Sequence, residues 1–288
     1  MQNFRICTDS GCDIKDELLS AWKVSSTPLT FRFTDSDVEY KNSDMDINEF
    51  YTKMTEGKIA KTAAVNAEAF KESFESILKE GSDILYVGFS SGLSTTANSA
   101  RIAAEELKGA YPERKIITVD SLCASAGQGL LIRLALDKQA EGLSIEEVAD
   151  YVEKTKLSVC HWFTVNDLVY LKRGGRISPA VAFVGNMLGI KPVLHVDDAG
   201  HLVNVSKARG RRAALAALMD KYTELAKTPE GGLVYISHAS CEDDAKTLAK
   251  MIEEKHGAKT SVITDVGPVI GAHAGPGTLA LFFIGKER

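Results

Sequence analysis

No cysteine in this chain lies at CxxC spacing from another, and the total of five is odd. Cys7, Cys12, Cys123, Cys160 and Cys241 are scattered, which argues against a zinc ribbon or a disulfide framework and leaves free thiols of a reducing compartment. The six histidines show no HExxH or related spacing, so no metalloenzyme signature is present. Net positive charge is also missing. At −5 overall, general nucleic-acid binding is excluded as a class. No apolar run approaches the length of a membrane span, the stretch 278–285 being far too short. Nor does the N-terminus carry a basic stretch followed by an apolar run, so a cytoplasmic location is the expectation.

What is present is the composition of a globular protein with a substantial core: 44% hydrophobic and 25% charged over 288 residues. The first half alternates in grammar. Phe4 to Thr8, Asp83 to Phe89 and Lys115 to Val119 are compact apolar, β-branched runs, as buried strands are. Between them, Phe70, Phe74, Ile77 and Leu78 recur at the spacing of one helix face, and Thr95 to Ala110 is alanine-rich. This order predicts a mainly parallel sheet with helices on both faces. Two helices follow, Ala124 to Ala140 and Ile145 to Thr155, the second opening with Ser144 and Glu147 at capping-box spacing. This acidic helix marks the domain boundary, giving an α/β domain over 1–157 and an α+β domain over 158–288. In the latter, Lys191 to Val196 and His201 to Ser206 flank Asp-Asp-Ala-Gly as a β-hairpin, which predicts a mixed or antiparallel sheet.

Two segments are site-like. Gly267-Pro-Val-Ile-Gly-Ala-His273-Ala-Gly-Pro-Gly277 sets four glycines and two prolines around one histidine. So much backbone constraint reads either as a tight corner or as a device that places His273. Gly88-Phe-Ser90-Ser91-Gly92-Leu-Ser94-Thr95-Thr96 follows a strand and opens a helix, where open α/β sheets bind ligands. Free N–H groups and hydroxyls there suit an anionic group, and Ser94 also fits the role of N-cap. Without GxxxxGK[ST], GxGxxG or a lysine in it, this is not a phosphate loop; a carboxylate or neutral polar head fits better. A hydrolase would pair Ser90, Ser91 or Ser94 with His273 and Asp9 or Asp120, yet GFSSG is not the GxSxG elbow. Two clusters, Lys172-Arg173-Gly-Gly-Arg176 and Lys207-Ala-Arg209-Gly-Arg211-Arg212, read as solvated surface or as a docking face. Thr62 reads as an ordinary loop hydroxyl and Asn66 as an N-cap.

In their joint order and spacing, these pieces resemble the DegV family, which supplies the fatty-acid-binding subunit of bacterial fatty acid kinase. The pieces are Thr8-Asp9-Ser10, Lys61-Thr62, Ser90-Ser-Gly-Leu-Ser94, Val119-Asp120-Ser121, Leu171-Lys-Arg173-Gly-Gly-Arg176-Ile-Ser178, Lys191-Pro192 and the segment 267–277. The likeness spans nearly the whole chain. It implies a two-domain protein enclosing one long-chain fatty acid between its domains, with Thr62 and Ser94 on the carboxylate and His273 beside them. It implies docking of a separate kinase subunit at Arg173, Arg176 and Arg209, and a place in phospholipid metabolism. It further implies no chemistry of its own, no cofactor beyond the bound fatty acid, no nucleic acid, and at most transient membrane contact. Two departures stand out: Ala63-Ala-Val-Asn66 replaces the family's Ser-Gln-Pro-Ser, and Thr95 replaces the glycine of its Ser-Gly-Thr. A serine hydrolase of acyl esters and a carrier module for another hydrophobic acid are the rival expectations.

Overall fold

The structure is a computed structural model that describes residues 4–178 and 189–288. Strands β1 (Phe4–Asp9), β2 (Ser25–Thr27), β6 (Asp83–Gly88) and β7 (Ile116–Asp120) form a parallel sheet in the order β2-β1-β6-β7. Alternation along these strands assigns its two faces. Ile6, Leu85 and Val87 pack on Leu130 and Leu131 of α5 (Ala126–Ala140) and Val148 of α6 (Ile145–Thr155). Cys7, Ile84 and Tyr86 face the other way, onto Phe70 and Phe74 of α3 (Ala67–Lys79) and Ala100 of α4 (Thr96–Leu107). Helices therefore cover both faces, as the alternating sequence requires.

A second sheet holds β8 (Val159–Thr164), β9 (Ile190–Val196), β10 (Leu202–Arg209), β11 (Val234–His238), β12 (Thr260–Asp265) and β13 (Leu279–Ile284), in the order β10-β9-β8-β13-β11-β12. Only β11 and β12 pair in parallel. Period-two alternation divides β13 too. Leu279, Leu281 and Phe283 point into a core with α8 (Arg211–Leu225) and α9 (Glu242–His256). Ala280 and Phe282 point the opposite way, toward α5, which lies between the two sheets and shares one core with both.

Local chemistry sets several boundaries. The Ser144–Glu147 capping box is present, and the Asn66 side chain accepts from Ala69 N at 2.9 Å. The hairpin β9–β10 carries a bulge near Asn204 and Ser206. Elsewhere the sequence reading is corrected. Residues 30–63 build a small antiparallel sheet of β3 (Thr30–Phe33), β4 (Tyr40–Lys41) and β5 (Ala60–Ala63), so Thr62 lies on a strand and not in a loop. Its partner strand packs Phe31 and Phe33 against Phe50 of α2 (Ile47–Thr55); that aromatic cluster defines the unit, not any local periodicity in 60–63. The segment 267–277 is no simple corner either: Pro268–Ala274 is a helix, α10, with proline at its first turn and Gly275 at φ 81 ending it. Among the described residues no helix is long and apolar enough to cross a membrane.

Candidate functional site

A cavity of about 530 Å³ lies between the two sheets, enclosed by the carboxyl ends of the parallel strands and by the inner face of the second sheet. The parallel sheet reverses its winding between β1 and β6, the position at which open α/β sheets take ligands. The loop after β6 is fixed from below. Buried Asp9 accepts from Phe89 N and Gly11 N, both at 2.9 Å, and from the Tyr86 hydroxyl. Burial raises the Asp9 carboxyl above its ordinary value. Asp120 accepts from Ser91 N at 3.1 Å. From the second sheet, the hairpin tip closes over the same loop, with Ser90 Oγ donating to Gly200 O at 2.9 Å.

One wall is the alternating face of β13: Thr278, Ala280 and Phe282 all line the cavity. At about 3.4 Å per residue, Thr278 and Phe282 stand roughly 14 Å apart along the strand. Phe163, Val196 and Leu202 continue this apolar surface. His161 lines it as well, but its ring is satisfied: Nδ1 lies 2.9 Å from Val159 O and Nε2 accepts from Ala124 N at 3.2 Å. Burial holds it neutral, well below the ordinary imidazole range.

The polar end is a closed ring of contacts. Thr62 Oγ1 is 2.8 Å from His273 Nε2. Against the other ring nitrogen sits Gly174, where a Cβ would come within 2.0 Å of His273 Nδ1; only glycine admits the imidazole here. Gly174 O accepts from Arg176 Nη1 at 2.5 Å, and Arg176 Nε donates to Leu93 O at 3.1 Å. Next along the chain, Ser94 Oγ lies 2.8 Å from Thr96 Oγ1, and Thr96 Oγ1 accepts from Val65 N at 3.4 Å, which returns to the Thr62 strand. Ser94 is thus just ahead of α4 and also accepts from Thr96 N at 3.3 Å.

Electrostatics at this end favour an anion. Burial, assisted by the nearby Arg176 charge, pushes His273 down to about 4, so the ring is neutral at pH 7. Its Nδ1 is buried with no hydrogen-bond partner among the described residues. Arg176 is half-buried, its own value lowered by desolvation, and among the described residues it has no carboxylate partner. A cation so placed, beside two hydroxyls and a neutral imidazole, lacks only its counter-charge.

The sequence-predicted residues divide accordingly. Thr62, Ser94 and His273 come together in the ring although they lie on three different segments. Arg176 joins them, lining the cavity, whereas Arg173 and Arg209 are exposed. Arg173 stacks over Tyr170 at 5.5 Å, and Arg209 ends β10. The triad geometry is not formed: Ser90 bonds Gly200, Ser94 bonds Thr96, Asp9 bonds Tyr86, and His273 meets Thr62. Thr96 and Gly174 lay inside segments the sequence marked but carried no role of their own there, and Asp13 escaped the sequence reading. A Gly-Gly pair between two arginines was the available signal for Gly174, because it marks close approach.

How α10 reaches the ring is unusual. It follows β12 of the second sheet, yet the first half holds its start: Gly267 N donates to Asp13 Oδ1 at 3.0 Å and Val269 N to Asn42 Oδ1 at 2.9 Å. Tyr51 donates to Val266 O at 2.6 Å. Val266, Val269 and Ala272 then pack in the core of Phe31, Phe50 and Phe70. His273 is therefore carried by the second half and aimed by the first.

Comparison with known proteins agrees with this architecture. The model of the DegV family matches residues 3–286. A DegV domain-containing protein of Clostridium perfringens is 42% identical, covering 100% of this chain and 99% of its own length. A protein of Thermotoga maritima described as a fatty acid-binding protein is 31% identical, with 99% and 98% covered. A stearic acid-binding protein from Eubacterium ventriosum superimposes with a TM-score of 0.89 at 26% identity, with 98% of each chain covered.

Proposed function

The chain belongs to the DegV family, and from that premise we propose that it binds a long-chain fatty acid in this cavity and presents the carboxylate to a separate, ATP-dependent kinase subunit. One observation carries the reading: a largely apolar cavity ends in a ring of Thr62, Ser94, His273 and half-buried Arg176, which has no carboxylate partner among the described residues. Burying about fifteen methylenes at roughly 0.8 kcal/mol each gives about 12 kcal/mol before ordering costs, so the apolar wall supplies affinity. A buried carboxylate must find donors, and the ring offers them. The fatty acids attributed to the Thermotoga and Eubacterium proteins support the same ligand class.

In this reading residues 1–157 and 158–288 are the two domains and the ligand lies between them. Arg173 and Arg209, exposed and outside the ring, are the proposed contacts for the kinase subunit, and the product is an acyl phosphate. The protein itself performs no chemistry: His273 is too weak a base at about 4, and among the described residues no carboxylate orients it. The location that fits this partnership is the cytoplasm.

The test is mass spectrometry of small molecules released on denaturing the purified protein. A stoichiometric long-chain fatty acid is expected, and adding a kinase subunit with ATP should convert it to an acyl phosphate. An empty protein that also refuses added fatty acid overturns the binding reading. Fatty acid bound but never phosphorylated leaves a carrier and overturns the presentation step.

A further inference from the structure

We propose that Ser237 and Ser125 form a second polar station partway along the cavity, which selects acyl ligands bearing an oxygen substituent on the chain. The inference rests on the fatty-acid reading and names a substrate class within it.

Position comes first. Ser237 on β11 pairs with Ala280 on β13, and directly paired residues share a face of a sheet. The Thr278 hydroxyl donates at 3.0 Å to the carbonyl of Ala274, the residue after His273, which ties this end of the wall to the polar ring. Ala280 lies two residues further and Phe282 four, so Ser237 stands about 7 Å in, with about 7 Å of wall beyond it. Both Ser125 and Ser237 line the cavity.

Next comes the hydrogen-bond inventory. Ser125 Oγ lies 2.6 Å from Asp13 Oδ2 and 2.9 Å from Ser237 Oγ. A serine has one proton. Ser125 is the donor in both contacts, so its single proton serves Asp13 or Ser237 at any one time, and the Ser237 proton is given to neither. Ser237 therefore keeps its own proton and spare acceptor capacity at a position that lines the cavity beside Ala280 and Phe282. A ligand hydroxyl at that depth would meet it. The carboxylate end of the chain is already served by the ring around His273, so the second station has a different group to read.

Ser125 is also held there against its backbone preference. Its φ of 53 with ψ of −146 is a conformation that side chains rarely adopt, yet the residue is serine and not glycine. Its N–H donates to Gly11 O at 2.8 Å, fixing the turn that points the hydroxyl at Asp13. Burial raises Asp13 to about 7, with Asp265 and Asp9 adding to the rise and the Ser125 and Gly267 donors opposing it. Measurements at pH 8.5 therefore isolate the ionised state.

The experiment is a displacement titration with octadecanoic acid and a series of octadecanoic acids carrying one hydroxyl at successive chain positions. One isomer is expected to bind about fivefold more tightly than its neighbours, the effect of one net hydrogen bond. Ser237→Ala should level the series while leaving octadecanoic acid within about twofold. Ser125→Gly, which suits the φ of 53, should keep the preferred position, because the proton that reads the ligand oxygen belongs to Ser237. A flat series with octadecanoic acid tightly bound overturns this inference alone, as does a preference that survives Ser237→Ala. Failure to bind octadecanoic acid overturns the fatty-acid reading and this inference with it.

Discussion

The long wall of the cavity and its polar end are built in opposite ways. One part of the wall follows a single strand: Ala280 and Phe282 of β13, with Thr278 just before it, reach the cavity because side chains alternate, and the intervening Leu279, Leu281 and Phe283 fill the core behind. The polar end takes Thr62 from β5, Ser94 from the start of α4, His273 from α10 and Arg176 from the turn after α7 (Val169–Arg173). The wall is redundant and tolerant in position. The polar end depends on several segments arriving together, so small displacements there change orientation more than affinity.

The strongest way to break this comparison is to fill the wall. Ala280→Trp should displace the chain from the inner half of the cavity, forfeiting about six methylenes, or about 5 kcal/mol, and weakening fatty-acid binding at least a thousandfold. Fluorescent fatty-acid displacement measures the loss, with thermal unfolding as the control for overpacking. Undiminished binding would move the acyl chain elsewhere.

pH separates the two regions next. His273 is held at about 4, below its usual value, so its contribution is complete above pH 6.5 and is lost as pH falls through the window toward 4. Asp13 behaves in the opposite sense. Raised to about 7, it contributes fully below pH 3.8 and loses that contribution as pH rises through 7. Relative to the parent, His273→Gln should therefore gain stability on going from pH 6.5 to 4, by up to about 3 kcal/mol. Asp13→Asn should gain on going from pH 4 to 7. Denaturant unfolding across that range decides both, and parallel profiles for parent and variants would refute the assignments.

Truncating the ring is a smaller change. Thr62→Ala or Ser94→Ala should lower phosphorylation of the bound acid about tenfold, as loss of one charge-assisted hydrogen bond does. Retention of the chain in a lipid-exchange assay should change less than about threefold. Equal losses in both assays would contradict the division between wall and ring. Smallest of all is Gly174→Ala. Its added methyl meets His273 Nδ1, which must shift, and a loss of about threefold in phosphorylation without loss of binding is expected.

Much of the scaffold was legible because its causes are local. The capping box at Ser144 and Glu147, the Asn66 cap and the β9–β10 hairpin each depend on residues a few positions apart. The small sheet of β3, β4 and β5 was not, because Ala60–Ala63 has no apolar alternation of its own and exists as a strand by pairing with Thr30–Phe33. The helix in 268–274 was hidden for a related reason: its glycines weaken helix propensity, and tertiary donors and acceptors at Asp13, Asn42 and Tyr51 fix its start.

By itself, then, the sequence determined the two sheets and the helices that cover them, since hydrophobic period and short-range capping act within a few residues. Only the tertiary structure decided that Arg176 lines the cavity while Arg173 and Arg209 remain exposed, although Arg173 and Arg176 stand three positions apart. It alone decided that His273 meets Thr62 at a separation of 211 positions and that Asp13 reaches Ser125 and Gly267. Those contacts depend on where separate segments pack against one another, and no local pattern of side chains encodes that distance.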